Sequence, residues 1–446
     1  MVQAQRSANP RRGRPQRFWV AIAILLGVFA ALFLGSLLNV ALLGFRSGFV
    51  GILDIAAILL VALVGFGTYL LILAFDREPH RRDRHLVRAV IVLGVALFLL
   101  LFLVDFLLAG LNIVAFLVCL PTTGIAIWLV RALDNNEKEP WRLVMVAVLW
   151  GAVIAFNLAV VLEGLYGALV NSGLIPGPGE GLSSAFMAGA IEEGAKGTAL
   201  LVIWWWMRDE FDGVLDGIVY GAIVGLGFNF MESLEYISSG GGGQFFLRQM
   251  LGLFLGHSTY TALIGAGLGV ARQLPDRRGR IMVIASGFLA AIGAHFLWDA
   301  QSILVPHSVD PNYALLELPG QYLVVNGPWV IALAVLFVAG KRVESRALMR
   351  QLTLEAADGS GAVLTIEVPT LIDPGRRFEA RMRMLAHRGW RGYRWLRRLQ
   401  RAQLELAIER WHRERQELDE PFEAERHLRD TVIALRTAPT PPPPRR

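Results

Sequence analysis

Residues 51–75 read GILDIAAILLVALVGFGTYLLILAF, with a single charged side chain, Asp54, and no proline. A helix of this length rises about 37 Å, enough to cross a hydrocarbon core of about 30 Å. A backbone inside a bilayer must satisfy its own hydrogen bonds, so the run reads as a transmembrane helix. The pattern recurs along the chain. Apolar runs between charged or Gly/Pro-rich breaks fall at 18–43, 51–75, 87–108, 112–130, 141–163, 183–206, 214–236, 249–270, 281–304 and 323–340. Only Ala109, Gly110 and Leu111 separate the third from the fourth. The first run is too long for the apolar part of a signal peptide and has no clear cleavage site, so it counts as a span.

Composition agrees with this reading. The chain has 446 residues, 54% of them hydrophobic, and a mean hydropathy of +0.49. A soluble domain of this length cannot bury that much apolar surface. Cys119 is the single cysteine and lies in an apolar run, so it forms no intrachain disulfide and reads as core filler. The expected fold class is all-α: a polytopic membrane helical bundle of about ten transmembrane helices with a small cytoplasmic C-terminal tail. The expected divisions are a disordered basic tail (1–17), N-terminal transmembrane helices (18–130), a membrane core (131–340) and a basic cytoplasmic C-terminal region (341–446) ending in a Pro-rich segment.

Loop charges set the expected orientation. Arg6, Arg11, Arg12, Arg14 and Arg17 precede the first span, and Arg77, Arg81, Arg82 and Arg84 follow the second. Later loops of the same parity carry Arg131 and Lys138, then Arg208, then Arg272, Arg277, Arg278 and Arg280, and Lys341 and Arg342 follow the tenth span. Residues 164–182 and 305–322 contain no Lys or Arg, while Arg248 stands as an exception on the opposite side. Both termini are therefore expected in the cytoplasm of a multi-pass cell-membrane protein. The region from 341 onward holds 22 basic and 15 acidic residues. Leu352–Val368 reads as two short strands around Asp358-Gly359-Ser360-Gly361. Arg376–Leu418 reads as an Arg-rich helix bearing Trp390, Tyr393, Trp395 and Trp411, either lying on anionic headgroups or solvated, alone or in a coiled coil. No nucleic-acid partner is expected.

Charged side chains inside a span are costly and point to function. They concentrate in the sixth to ninth spans. Glu192, Glu193 and Lys196 share one helical face, as do Phe228, Asn229, Glu232 and Glu235. The eighth span brings His257 with Tyr260 and Thr261 nearby, and the ninth brings His295 and Asp299 one turn apart. Counted from the outer ends of their spans, Glu192, His257 and His295 lie roughly 12–14 Å deep, with Glu232 and Asp299 about a turn shallower. Four helices thus deliver ionisable groups to one level, which implies a polar cavity open to water in the outer half of the membrane. Lys196 reads either as an ion-pair partner of Glu192 or Glu193 or as a catalytic group. Glu235, Tyr260 and Asp54 read as helix-locking residues.

Glu192-Glu193-x-x-Lys196, Phe228-x-x-x-Glu232, Gly256-His257 and His295-x-x-x-Asp299 resemble the four motifs of PrsW-type intramembrane proteases. DNNEKEPW (Asp134–Trp141) is similar to that family's acidic stretch before the core, and DGIVYG (Asp216–Gly221) to its lead-in to the second motif. The resemblance covers roughly residues 125–340 and implies kinship with type II CAAX prenyl endopeptidases. It also implies proteolysis of a membrane-anchored protein such as an anti-sigma factor. It leaves the cofactor open: none for a glutamate-type enzyme, Zn2+ for a metallopeptidase. The chain has no HExxH signature.

Amide hydrolysis needs an activated water, an oxyanion stabiliser and a donor for the leaving amine. The residues supply Glu192 as general base and His257 and His295 as anchors for the water or oxyanion. Asp299 orients His295, and Glu193 and Glu232 position partners or shuttle protons. Asn229 is a candidate oxyanion donor, with Lys196 and Phe228 in support. In a zinc version His257, His295 and one or two carboxylates would bind the metal. The expected partners are the lipid bilayer and a single-pass membrane protein substrate cleaved in or near its outer part. The rival function is a proton-coupled membrane transporter, whose signature is internal repeats with broken helices; no repeat relates the two halves.

Overall fold

A computed structural model describes residues 27, 30–42, 49–75, 79–108, 110, 112–136, 138–175, 181–207, 210–304, 311–415 and 423–437. The basic N-terminal tail, the start of the first apolar run, residues 176–180, Leu418 and the Pro-rich end lie outside these residues. Every element among the described residues is helical. In chain order they are α1 (Ala30–Leu42), α2 (Phe49–Phe75), α3 (Pro79–Leu108), α4 (Ile113–Leu133), α5 (Trp141–Asn171) and α6 (Leu182–Trp206). There follow α7 (Val214–Phe245), α8 (His257–Gln273), α9 (Arg277–Leu304), α10 (Pro311–Ala357), α11 (Val368–Ile372), α12 (Pro374–Arg415) and α13 (Glu423–Thr437).

Among the described residues, six stretches are long and apolar enough to cross a membrane: Ile52–Phe75, Ile113–Leu133, Trp141–Asn171, the Val214–Gln273 run, Arg277–Leu304 and Pro319–Ala357. Shorter apolar helices occupy Ala30–Leu42 and Ile91–Leu107. The fold is that of a helical membrane protein, while the number of crossings rests on the sequence reading. The chain forms two compact units, one of residues 1–133 with 139–336 and the other of 134–138 with 337–446.

In the first unit α7 is the central helix, buried along almost its whole length from Val214 to Leu234. Its glycines explain how. A Cβ on Gly217 would stand 2.0 Å from the Gly265 carbonyl oxygen, one on Gly221 2.5 Å from that of Thr261, and one on Gly225 2.3 Å from that of His257. Gly217, Gly221 and Gly225 recur every four residues, so one bare stripe lets α8 lie against α7 backbone to backbone. On its other side, Gly227 meets the Val148 carbonyl of α5 in the same way. Without a hydrophobic driving force between helices in lipid, such close approach is what holds them together.

Two span boundaries differ from the sequence reading. The seventh apolar run does not stop at 236: α7 continues through Ser238 and Ser239, whose hydroxyls bond back to carbonyls one turn earlier, and kinks at Gly241 (φ 62, ψ −145). The eighth, read as one helix over 249–270, is broken. A wide-turn segment Phe246–Leu251 and a single turn Gly252–Leu255 end at Gly256 (φ −135, ψ −129), and α8 begins at His257. Irregular backbone at membrane depth is tolerated only where protein or a cavity surrounds it. Here Gln249 shields the segment, bonding Ser233 through Nε2 (2.9 Å) and accepting from Thr122 (2.7 Å).

In the second unit the expected strands at Leu352–Val368 are absent. α10 runs on to Ala357 because Leu348 and Leu352, one turn apart, pack into a core with Val363, Val368, Leu371, Leu404 and Ile408. Gly359 (φ 67) and Gly361 (φ 76) then turn the chain, and Thr365–Glu367 form a short 3-10 turn before α11. Of the β-branched residues in this stretch, Val363 and Val368 serve the helical core, while Thr353, Thr365 and Ile366 are exposed. A second core joins Ala362, Leu399, Ala402 and Leu406 to Val432 of α13. Glu355, 1% exposed, receives hydrogen bonds from Arg410, Arg429 and Ser360. The later half of α12 thus has one face in these cores and carries exposed arginines on the other.

Candidate active site

The four motif-bearing helices converge. α6 presents Glu192, Glu193 and Lys196; all three are buried, and Lys196 is fully enclosed. The Lys196 ammonium has three protons and three partners: Glu192 Oε2 at 2.9 Å, Glu193 Oε1 at 2.7 Å and His257 Nδ1 at 2.8 Å. The Phe228 ring covers it, 3.8 Å from Nζ to the ring centroid. A buried ammonium is tolerable only when its donors are all used.

The partners assign the histidine tautomers. Lys196 can only donate, so His257 Nδ1 accepts and Nε2 carries the proton, donated to Glu232 Oε2 at 2.5 Å. Both nitrogens of His257 are therefore committed. His295 directs Nδ1 at Glu193 Oε1, 3.1 Å away, which leaves Nε2 facing Glu192 Oε2 at 3.9 Å and Asp299 Oδ2 at 3.5 Å. Glu193 is enclosed by Lys196, His295 and Thr261, whose hydroxyl donates at 3.0 Å. Glu192 retains 11% side-chain exposure against 0% for Glu193, so Glu192 is the more accessible of the two carboxylates.

The other sequence candidates divide. Glu232 joins the cluster at the level of His257, because α7 extends past 236. Asp299 sits at the edge, its side chain 31% exposed. Asn229 is buried, and its amide nitrogen has no partner among the described residues. Glu235 is exposed, within electrostatic reach of Glu232 and Arg248. Tyr260, read as a helix lock, also stacks on His295 (ring centroids 5.3 Å) while its hydroxyl donates to Asn326 of α10 at 2.7 Å.

Two residues escaped the sequence reading. Arg248, counted as an exception to the loop-charge rule, pairs with Glu232 (2.8 Å) and lies 3.6 Å over the Tyr236 ring. Its signal was an arginine on a side otherwise nearly bare of them. Glu163, at the end of the fifth span, lies within electrostatic reach of Glu192, Glu232, Lys196 and His295, with a buried oxygen that has no partner among the described residues.

One ligand atom from each of Glu192, Glu193, His257 and His295 falls within 4.8 Å of the others. Two imidazoles and two carboxylates are a donor set that suits zinc in type and spacing. Three of these four residues also bond Lys196, so the ammonium and a metal ion would draw on the same lone pairs.

A family profile described as PrsW family intramembrane metalloprotease matches residues 139–333. The chain is 31% identical over 180 residues to Protease PrsW of Bacillus subtilis (strain 168), covering 40% of this chain and 72% of the relative. It is 28% identical over 166 residues to Protease PrsW of Geobacillus kaustophilus (strain HTA426), covering 37% and 69%. No solved structure matches.

Proposed function

The chain belongs to the PrsW family of intramembrane proteases, and from that premise we propose that Glu192 is the general base of a glutamate-type peptidase acting on a single-pass membrane protein. The observation that carries this is the asymmetry of the paired carboxylates: Glu193 has all its partners inside the protein, whereas Glu192 faces outward between the two histidines. A water held between Glu192 Oε2 and the free Nε2 of His295 loses a proton to Glu192 as it attacks the scissile carbonyl. Glu192 then returns that proton to the leaving amine. The buried, unpartnered Asn229 amide is in the state expected of a donor reserved for the developing oxyanion. His257 is held by Lys196 and Glu232 and keeps Lys196 in place.

A zinc-dependent version is the second reading, favoured by the donor spacing and by the family's description. Glu192, Glu193, His257 and His295 would hold the ion, which would supply Lewis-acid polarisation of the carbonyl. The loop-charge reading puts both termini in the cytoplasm and opens the cavity toward the outer face, so the scissile bond falls in or just beyond the outer part of the substrate's span. An anti-sigma factor is the substrate class proposed.

The test is Glu192→Gln in a strain lacking the chromosomal copy, with membrane proteomics as readout. Loss of substrate cleavage with normal insertion is expected, and full cleavage would remove the assignment. Metal analysis of purified protein separates the two versions: about one bound zinc, lost in His295→Ala, decides for the metal, and cleavage by chelator-treated protein free of metal decides against it.

A further inference from the structure

The second unit carries a surface that the protease chemistry does not use. Between Arg376 and Arg401 there are ten arginines and one acidic residue, Glu379. α12 kinks at Gly389 (φ 63) and continues with Trp390, 59% exposed and stacked on Tyr393 at 4.9 Å. At 100° per residue, Trp390, Arg394, Arg397 and Arg401 point the same way, with Arg391 and Arg398 beside them. On the opposite side Leu399, Ala402 and Leu406 are buried in the core with Val432. The outward direction is thus fixed by packing. Arg391, Arg394, Arg397 and Arg398 have no hydrogen-bond or ion-pair partner among the described residues, whereas Arg401 is paired with Glu405 at 2.7 Å.

We infer that this face of α12 docks on the anionic phospholipid headgroups of the bilayer that the chain's own helices cross. Unpaired guanidinium groups are weakly hydrated forks that suit phosphate oxygens. An exposed tryptophan among them matches the interfacial preference of an indole, which has an apolar body and a polar edge. The unit follows in the chain directly on the apolar part of α10, so this tether keeps the local lipid concentration high. Charge complementarity thus favours lipid phosphates over other partners.

The experiment uses the full chain in lipid nanodiscs. Cys119, the single cysteine, is buried and is replaced by Ala; an environment-sensitive dye is placed at Ala386→Cys, an exposed position four residues before Trp390. Headgroup-region nitroxide lipids are expected to quench the dye in nanodiscs of about 30% phosphatidylglycerol but not in phosphatidylcholine alone. Quenching should fall when salt is raised to about 1 M, where screening acts beyond about 3 Å. Arg394→Gln, Arg397→Gln and Arg398→Gln together should lower the docked-to-free ratio about a hundredfold, roughly fivefold per arginine. Equal quenching in the two lipids, or no change in the triple variant, overturns the inference. Binding of a duplex DNA fragment without lipid-dependent quenching also overturns it, in favour of a nucleic-acid surface.

Discussion

Gly225→Ala tests whether helix contact sets the active-site geometry. The added methyl would stand 2.3 Å from the His257 carbonyl oxygen, 2.6 Å from its carbon and 2.8 Å from Ser258 Cα. That is about 1 Å short of ordinary contact, and the obstacles are backbone atoms that cannot rotate aside. α7 and the first turn of α8 must separate, and His257 leads that turn. Its contacts with Lys196 (2.8 Å) and Glu232 (2.5 Å) would then lengthen. Overpacking of this kind costs about 1–3 kcal/mol, and a misplacement of about 1 Å in a catalytic site costs about a hundredfold in rate. The assay is cleavage of the substrate identified by membrane proteomics, alongside thermal melting in detergent. Gly124→Ala is the control: it lies mid-helix in α4, and its added methyl would have no neighbour within 4 Å, so it should leave cleavage intact and stabilise by up to about 1 kcal/mol. Wild-type cleavage and melting in Gly225→Ala would refute the reasoning.

Arg248→Ala should lower kcat about 10- to 100-fold through loss of the Glu232 contact, with Arg248→Lys recovering part of it; steady-state kinetics on the same substrate check this. Tyr260→Phe keeps the ring on His295 but leaves the Asn326 oxygen without its donor, so thermal melting should report a loss of about 1–3 kcal/mol in stability while kcat changes little. In the second unit, beyond the apolar part of α10, burial raises the Glu355 carboxyl but the Arg429, Ser360 and Arg410 contacts outweigh it and hold it at about 2. A depressed carboxyl stabilises the fold above its ordinary value of 4.5 and loses that contribution as pH falls toward about 2. Hydrogen exchange over residues 348–372 should therefore quicken through that window, and Glu355→Gln should flatten the dependence.

The helices were legible because an apolar run of about 20 residues has few other fates. The candidate site was legible for a related reason: charges in spans are rare and costly. The stripe Gly217, Gly221, Gly225 stood in the sequence at helical spacing, but its register against Gly265, Thr261 and His257 depends on where α8 begins. That start was hidden, since residues 249–270 are largely apolar and one glycine does not by itself break a helix. The end of α7 was misplaced for the converse reason. Ser238–Gly243 looks like a loop by composition, yet its serines satisfy their hydroxyls within the helix. The strands expected at Leu352–Val368 did not form because Leu352, Val363 and Val368 are buried in a helical core whose contacts outweigh local β-preference. Arg248 was passed over as a partner of Glu232 because loop-charge counting treats an arginine as a topological marker and ignores its contacts.

Lys196 shows most directly how the site is specified. The chain uses 40 arginines and three lysines, yet this enclosed position holds a lysine. Its three acceptors converge on one atom at 2.7–2.9 Å, which suits a compact ammonium with three donors. A guanidinium spreads five donors over a planar fork and would leave several unmet in a space closed by Phe228. The same convergence separates two histidines that look equivalent in sequence. Because Lys196 only donates, it sets the proton of His257 on the nitrogen facing Glu232, so both nitrogens of that ring are bonded within the cluster. His295 bonds a carboxylate through one nitrogen and keeps the other open beside Glu192. In the glutamate-type mechanism proposed above, the reacting pair is therefore Glu192 and His295, with the remaining motif residues holding that pair in register.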